Sequence, residues 1–252
     1  MSGRMSGEGL ESGAVSSPMF TTTHWSVVLS AIDAHAPGGP EALAQLCRTY
    51  WYPLYAFIRR KGYDCHDAED LTQSFLVRLT TSDFIQKADP ERGRFRSYLL
   101  TALNRFVADE WRTANRQRRG GGQALLSLDA ATAEERYVRE PSDLGSPERL
   151  YERRWATTLI EQALARLESE FNALGNAELF AALQGSMLGE GANQSYTEIA
   201  ARLGLTEGAV KSAVYRLRQR YQSLLREEIA RTVATGEDVE DELRHLFTVL
   251  SR

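Results

Sequence analysis

Only two cysteines, Cys47 and Cys65, occur among the 252 residues. Two thiols cannot build a multi-bridge framework, and a reducing, cytoplasmic setting suits them. Histidine is nearly as scarce, standing singly at positions 24, 35, 66 and 245. Cys65 and His66 are adjacent, but sequence neighbours seldom chelate one ion, so neither a metal site nor a cofactor is expected. No apolar run approaches the roughly 20 residues that a membrane span needs. The opening stretch MSGRMSGEGLESGAVSSPMF has glycine and serine but no apolar segment, so residues 1–22 are expected to form a disordered tail rather than a secretory signal. Gly120–Gly122 follows arginines and lacks the Lys-Ser/Thr of a phosphate-cradling loop, and no nucleophile–base pair stands out. An enzyme is not expected. Strand-like alternation is missing as well, so the chain should be nearly all helix.

An excess of one charge is also absent, since 30 Lys and Arg face 34 Asp and Glu for a formal net charge of −4. That balance conceals segregation. Eight arginines (92, 94, 96, 105, 112, 116, 118, 119) crowd residues 92–119, while 129–152 and 237–242 are acid-rich. Positive charge gathered in this way points to a polyanionic partner.

Helical periodicity organises the chain into two parts. Leu43, Leu46, Tyr50, Leu54 and Phe57 form one apolar stripe, with Gly62 as a stop. Leu71, Phe75, Leu76 and Leu79 form a second, after acids suited to a helix start. Phe95, Leu99, Ala102, Leu103, Phe106 and Val107 form a third. The period then lapses in GGGQALLSLDAATAEERYVREPSDLGSP, which reads as an interdomain linker with room for short helical turns. Helices resume with Trp155, Leu159, Ala163 and Leu167 in line. The expectation is an all-α fold of two helical domains. An N-terminal domain over 23–119 is joined by a linker, 120–147, to a C-terminal domain over 148–231. The added segment 232–252 carries a stripe of Val239, Leu243, Leu246, Phe247 and Leu250 that needs a surface to cover it.

Within the second domain, Ser195 and Glu198 have capping-box spacing and should start a short helix. Gly204 can turn the chain through positive φ, Leu205 is expected to plug the corner, and Thr206 caps a longer helix. With Ile199, Leu203, Val210, Val214 and Leu217 as a shared core, this is the pattern of a helix-turn-helix. Lys211, Ser212, Tyr215, Arg216, Arg218 and Arg220 then remain to face outward. Lysine and arginine suit phosphates and guanine edges, and the two hydroxyls can bond to phosphate or base.

Three segments resemble one family, the extracytoplasmic-function group of bacterial RNA polymerase sigma factors, and in that family's order. LCRTYWYPLYAFIRRKGYDCHDAEDLTQSFLVRL resembles its core-polymerase-binding signature, above all in DAEDLTQ. GRFRSYLLTALNRFVADEWR resembles the segment that opens and reads the minus-ten element, and SYTEIAARLGLTEGAVKSAVYRLRQR its minus-thirty-five reader. The resemblance covers about residues 40–228.

It implies a transcription-initiation factor whose partners are core RNA polymerase and promoter DNA. Asp67, Asp70 and Gln73 would face the coiled coil of the largest polymerase subunit. Asn104, Arg105 and Arg112 match the promoter-melting helix. Loop 89–96, which includes Arg96, matches the loop that holds a flipped base, where opened strands need cations and planar stacking partners. Tyr98 stands where the family commonly has tryptophan; it and Trp111 are the aromatic candidates. The alternative is an autonomous helix-turn-helix regulator working without polymerase, normally as a dimer. These residues leave an anti-sigma partner open. The terminal segment is expected either to complete the second domain's core or to restrain the recognition helix.

Overall fold

In this computed structural model, the structure describes residues 39–81, 94–116, 130–140, 145–188, 195–231, 233 and 236–251. The N-terminal tail, the side chain of Leu43, most of loop 89–96 and the glycine run after Arg119 lie outside the described residues. The fold is all-α. Its helices are α1 (Gly39–Arg60), α2 (Cys65–Thr81), α3 (Phe95–Arg116), α4 (Ala130–Val138), α5 (Pro147–Ala173), α6 (Ala177–Leu188), α7 (Tyr196–Leu203), α8 (Glu207–Ala230) and α9 (Gly236–Leu250). Among the described residues no helix is long and apolar enough to cross a membrane.

Helix α1 is buried without a break from Thr49 to Ile58. Amphipathic stripes expose one face, so an all-round buried helix needs neighbours on every side, and α2, α4 and α5 supply them. That burial also explains why α1 runs through Pro53. An interior proline costs about 3 kcal/mol. Tyr50, Trp51, Tyr52, Tyr55 and Phe57 around it are all buried, each contributing roughly 1.5–3 kcal/mol. Burial outweighs the lost hydrogen bond. The helix ends at Arg60, and the turn that follows uses the predicted Gly62, whose φ of 97° is costly for other residues.

Helix α5 is the central spine. Ser146 caps it with Pro147 following, the favoured order at a helix start. Its predicted ridge of Trp155, Leu159, Ala163 and Leu167 is buried, but so are Leu150, Tyr151 and Thr158 on another side. The second face lies against α1, where Tyr151 meets Phe57 edge to face at 6.4 Å. Buried apolar residues from both halves of the chain thereby join in one core.

The stretch expected to be linker contains α4, and α4 is docked on α1. Arg59 grips Glu134 with two hydrogen bonds of 2.9 and 2.7 Å, and Tyr55 donates to the same carboxylate. The Arg59 and Tyr55 bonds hold the Glu134 carboxyl below the usual range, against the opposing effect of burial. Tyr137 lies edge-on to Tyr55, and Tyr52 donates to Glu140 at 2.7 Å.

Helices α5 to α8 form the C-terminal half. The Ser195–Glu198 capping box is formed in both directions, at 3.2 and 2.8 Å. Gly204 turns the chain with φ 65°, and Thr206 accepts from the Ala209 N–H. Leu205 departs from expectation. It is 43% exposed and contributes through its backbone, whose N–H closes a Schellman-type turn on the Ala200 carbonyl.

Helix α9 completes the core. Val239, Leu243 and Leu246 are buried and the helix packs on α5 and α8, whereas Phe247, predicted to share the stripe, stands exposed. Its Glu240 pairs with Arg226 in the last turns of α8 and leaves Lys211 to Arg216 uncovered.

Candidate nucleic-acid interface

One candidate surface lies along α3. Phe95, Leu99, Leu103 and Phe106 face inward and are buried. The opposite side therefore presents Asn104, Arg105, Trp111 and Arg112, at helix spacings of one, seven and eight. Asn104 is half-buried, donates to the Leu100 carbonyl and accepts from Lys61 at 2.6 Å. Lys61 thus joins this face from the end of α1, which no periodicity within α3 could reveal. Arg112 makes an exposed i,i+3 pair with Asp109 at 3.0 Å. Trp111 is 61% exposed, a large apolar cost unless something stacks on it. Tyr98 is half-buried with its ring 6.3 Å from that of Phe95, and burial pushes its pKa up.

Arg96 is placed differently from the rest of this set. Its guanidinium is buried, bonded through Nε to both oxygens of Glu242 at 3.1 and 3.3 Å and through a terminal nitrogen to Glu152. It also stacks 5.0 Å from the Trp155 ring, and its backbone carbonyl accepts from Tyr151. Burial opposes its charge, but Glu242 and Glu152 outweigh that and raise its pKa. Arg94 reaches Glu242 from the other side at 3.5 Å.

On α2, Asp67 and Asp70 are exposed and Gln73 is half-buried. The three lie at spacings of three on one side, away from the buried Phe75, Leu76 and Leu79. Gln73 donates to Glu69 at 2.9 Å, so this acidic face includes a residue the sequence pattern did not single out. Asp64 caps the start of α2, its carboxylate accepting from the Asp67 N–H at 2.8 Å.

On α8 the six outward candidates separate. Lys211, Ser212, Tyr215 and Arg216 are all exposed. Lys211 pairs at the surface with Glu207 at 2.6 Å, and this bond raises the lysine pKa and lowers that of the glutamate. Such a water-exposed pair is weak and exchangeable. Arg218 donates to the carbonyls of Ser186 and Met187, satisfying groups at the end of α6. Arg220 clamps Glu170 on α5 through two bonds of 2.8 and 2.6 Å. Arg218 and Arg220 therefore tie α8 to its neighbours.

The family model for sigma-70 region 2 matches residues 46–117, which spans most of α1, all of α2 and α3. This segment is similar to a sigma-70 region 2. The α2 acidic face and the α3 face of Asn104, Arg105, Trp111 and Arg112 both lie inside it, whereas the α7–α8 pair lies outside. Over 192 residues the chain is 29% identical to the ECF RNA polymerase sigma factor SigE of Mycolicibacterium smegmatis. That alignment covers 76% of this chain and 65% of the relative. The resemblance to extracytoplasmic-function sigma factors holds on these two findings. No solved structure matches. The partners of region 2 in the fold, Glu152 and Glu242, stood outside every motif. Only the mixed acidic and apolar character of their helices signalled them.

Proposed function

We propose that this chain is a sigma subunit, which binds core RNA polymerase and directs promoter-specific initiation of transcription. The observation that carries the reading is the coincidence of the region 2 match with an α3 face of exposed cations around an unburied tryptophan. Cations neutralise phosphates and an aromatic stacks on unpaired bases, which is the combination an opened strand requires. In this reading Arg105 and Arg112 hold the backbone, Asn104 is positioned by Lys61 to meet a base edge, and Trp111 stacks. Asp67, Asp70 and Gln73 form the polymerase face. Lys211, Ser212, Tyr215 and Arg216 read duplex DNA from the start of α8. The protein acts in the cytoplasm by binding rather than by catalysis. Two DNA-reading surfaces on one chain raise each other's effective concentration, so neither needs high affinity alone.

In vitro transcription with core polymerase over a pool of promoter fragments tests this directly. Initiation that depends on the added chain, at a shared pair of promoter elements, is the expected result. Tight binding of promoter duplex without core enzyme, and no core-dependent transcripts, would establish an autonomous regulator instead.

A further inference from the structure

Arg94 and Arg96 stand at the start of α3 within the promoter-melting segment of the proposed reading, yet their ligands come from the C-terminal half of the chain. Glu242 of α9 bonds to Arg96 and reaches Arg94, while Glu152 of α5 bonds to Arg96 and also approaches His245 at 2.9 Å. Arg94 and Arg96 thus face Glu242 and Glu152, two guanidiniums to two carboxylates, with His245 beside Glu152. Glu242 and Arg96 are almost wholly excluded from water. Arg96 Nε meets both oxygens of Glu242, and a phosphodiester offers a guanidinium a like pair of anionic oxygens. Withdrawing α9 would leave Arg94 and Arg96 short of one negative charge, and a buried arginine needs a replacement anion.

We propose that Arg94 and Arg96 form a phosphate-binding site for the opened promoter strand, held shut by Glu242 acting as an internal stand-in for that phosphate. The inference rests on the sigma-subunit reading and adds its regulation. DNA and α9 compete for one pair of arginines, so the chain folded on itself is restrained until the strand displaces Glu242. The restraint lies on region 2. It does not involve the recognition positions Lys211 to Arg216, which α9 leaves open. By linkage, whatever favours the undocked α9 must raise affinity for DNA by the same factor that DNA favours undocking.

The test uses the full chain and a fluorescein-labelled single-stranded DNA of random sequence at low salt, read by anisotropy. Glu242→Gln keeps the shape of the side chain and removes its charge. Glu240→Gln removes the same charge from the same helix, but from the exposed pair with Arg226. Glu242→Gln should bind the strand about five- to tenfold more tightly, within the usual span of coupling between sites. Glu240→Gln should stay within about twofold of wild type, as expected for an exposed pair. Equal gains in both variants would reduce the effect to general electrostatics and overturn the proposal, as would no gain in either. Circular dichroism checks folding. If Glu242→Gln is unfolded, Glu152→Gln, at the rim of the cage, is judged by the same criterion. Core-dependent transcription by the wild type is measured separately. Its absence defeats the sigma-subunit reading, while the anisotropy comparison still decides whether Glu242 excludes DNA.

Discussion

Arg96 and Glu242 are 146 positions apart and meet as a buried ion pair, with Nε to Oε1 at 3.1 Å. Arg96→Ala leaves the buried Glu242 with the longer contact to Arg94 at 3.5 Å, and should destabilise the fold by about 3–5 kcal/mol. For a chain of this size the melting temperature falls by roughly 2–4 °C per kcal/mol, or roughly 6–20 °C here. Arg226→Ala, which breaks the exposed pair with Glu240, should cost under about 1 kcal/mol. Thermal denaturation of the two variants side by side checks the contrast; equal losses would mean the cage is not buried in solution.

Arg216 and Arg218 lie two residues apart and should fail in different ways. Arg216→Ala should lower promoter-dependent transcription by about ten- to a hundredfold, the range of a lost bidentate base contact, with an unchanged melting temperature. Arg218→Ala removes donors from the Ser186 and Met187 carbonyls and should cost about 1 kcal/mol of stability. Measuring transcription and melting on both variants separates reading from bracing.

The acidic face of α2 gives a third outcome. Asp70→Ala with Gln73→Ala should weaken co-purification with core polymerase and leave helicity intact, because neither side chain belongs to the buried set of Phe75, Leu76 and Leu79. Wild-type recovery of the complex would remove α2 from the polymerase interface.

Acid should loosen α4 from α1. Hydrogen bonds from Arg59 and Tyr55 depress the Glu134 pKa below its ordinary value of 4.5. A carboxyl depressed on folding contributes stability that is complete above the unfolded value and is lost as pH falls through the folded one. The stability difference between wild type and Glu134→Gln should be constant at neutral pH and shrink below about 4.5. Denaturant titrations across that range provide the measurement. A difference that persists unchanged at low pH would show that the charge of Glu134 is irrelevant.

The sequence by itself determined most helices and their inner faces, the docked α4 within the expected linker being the exception. Leu46 and Tyr50 on α1, Phe95 to Val107 on α3 and the Ser195–Gly204–Thr206 caps depend on local spacing and local hydrogen bonds, and each can be read within one helix. Asp67, Asp70 and Gln73 were singled out by the resemblance of DAEDLTQ to a family signature, and they recur on one face of α2. Tertiary structure decided what those helices touch. Nothing local to Arg96 states that Glu152 and Glu242 neutralise it, nor that Arg220 turns two of its bonds to Glu170. An arginine facing solvent and one paired with a distant glutamate carry the same letter at the same spacing. Likewise Tyr151 marks a second buried side of α5 only because Phe57 of α1 waits there. Periodicity reports that a face is apolar; which surface covers it is a property of the folded chain, set where charge pairing and packing can be satisfied together.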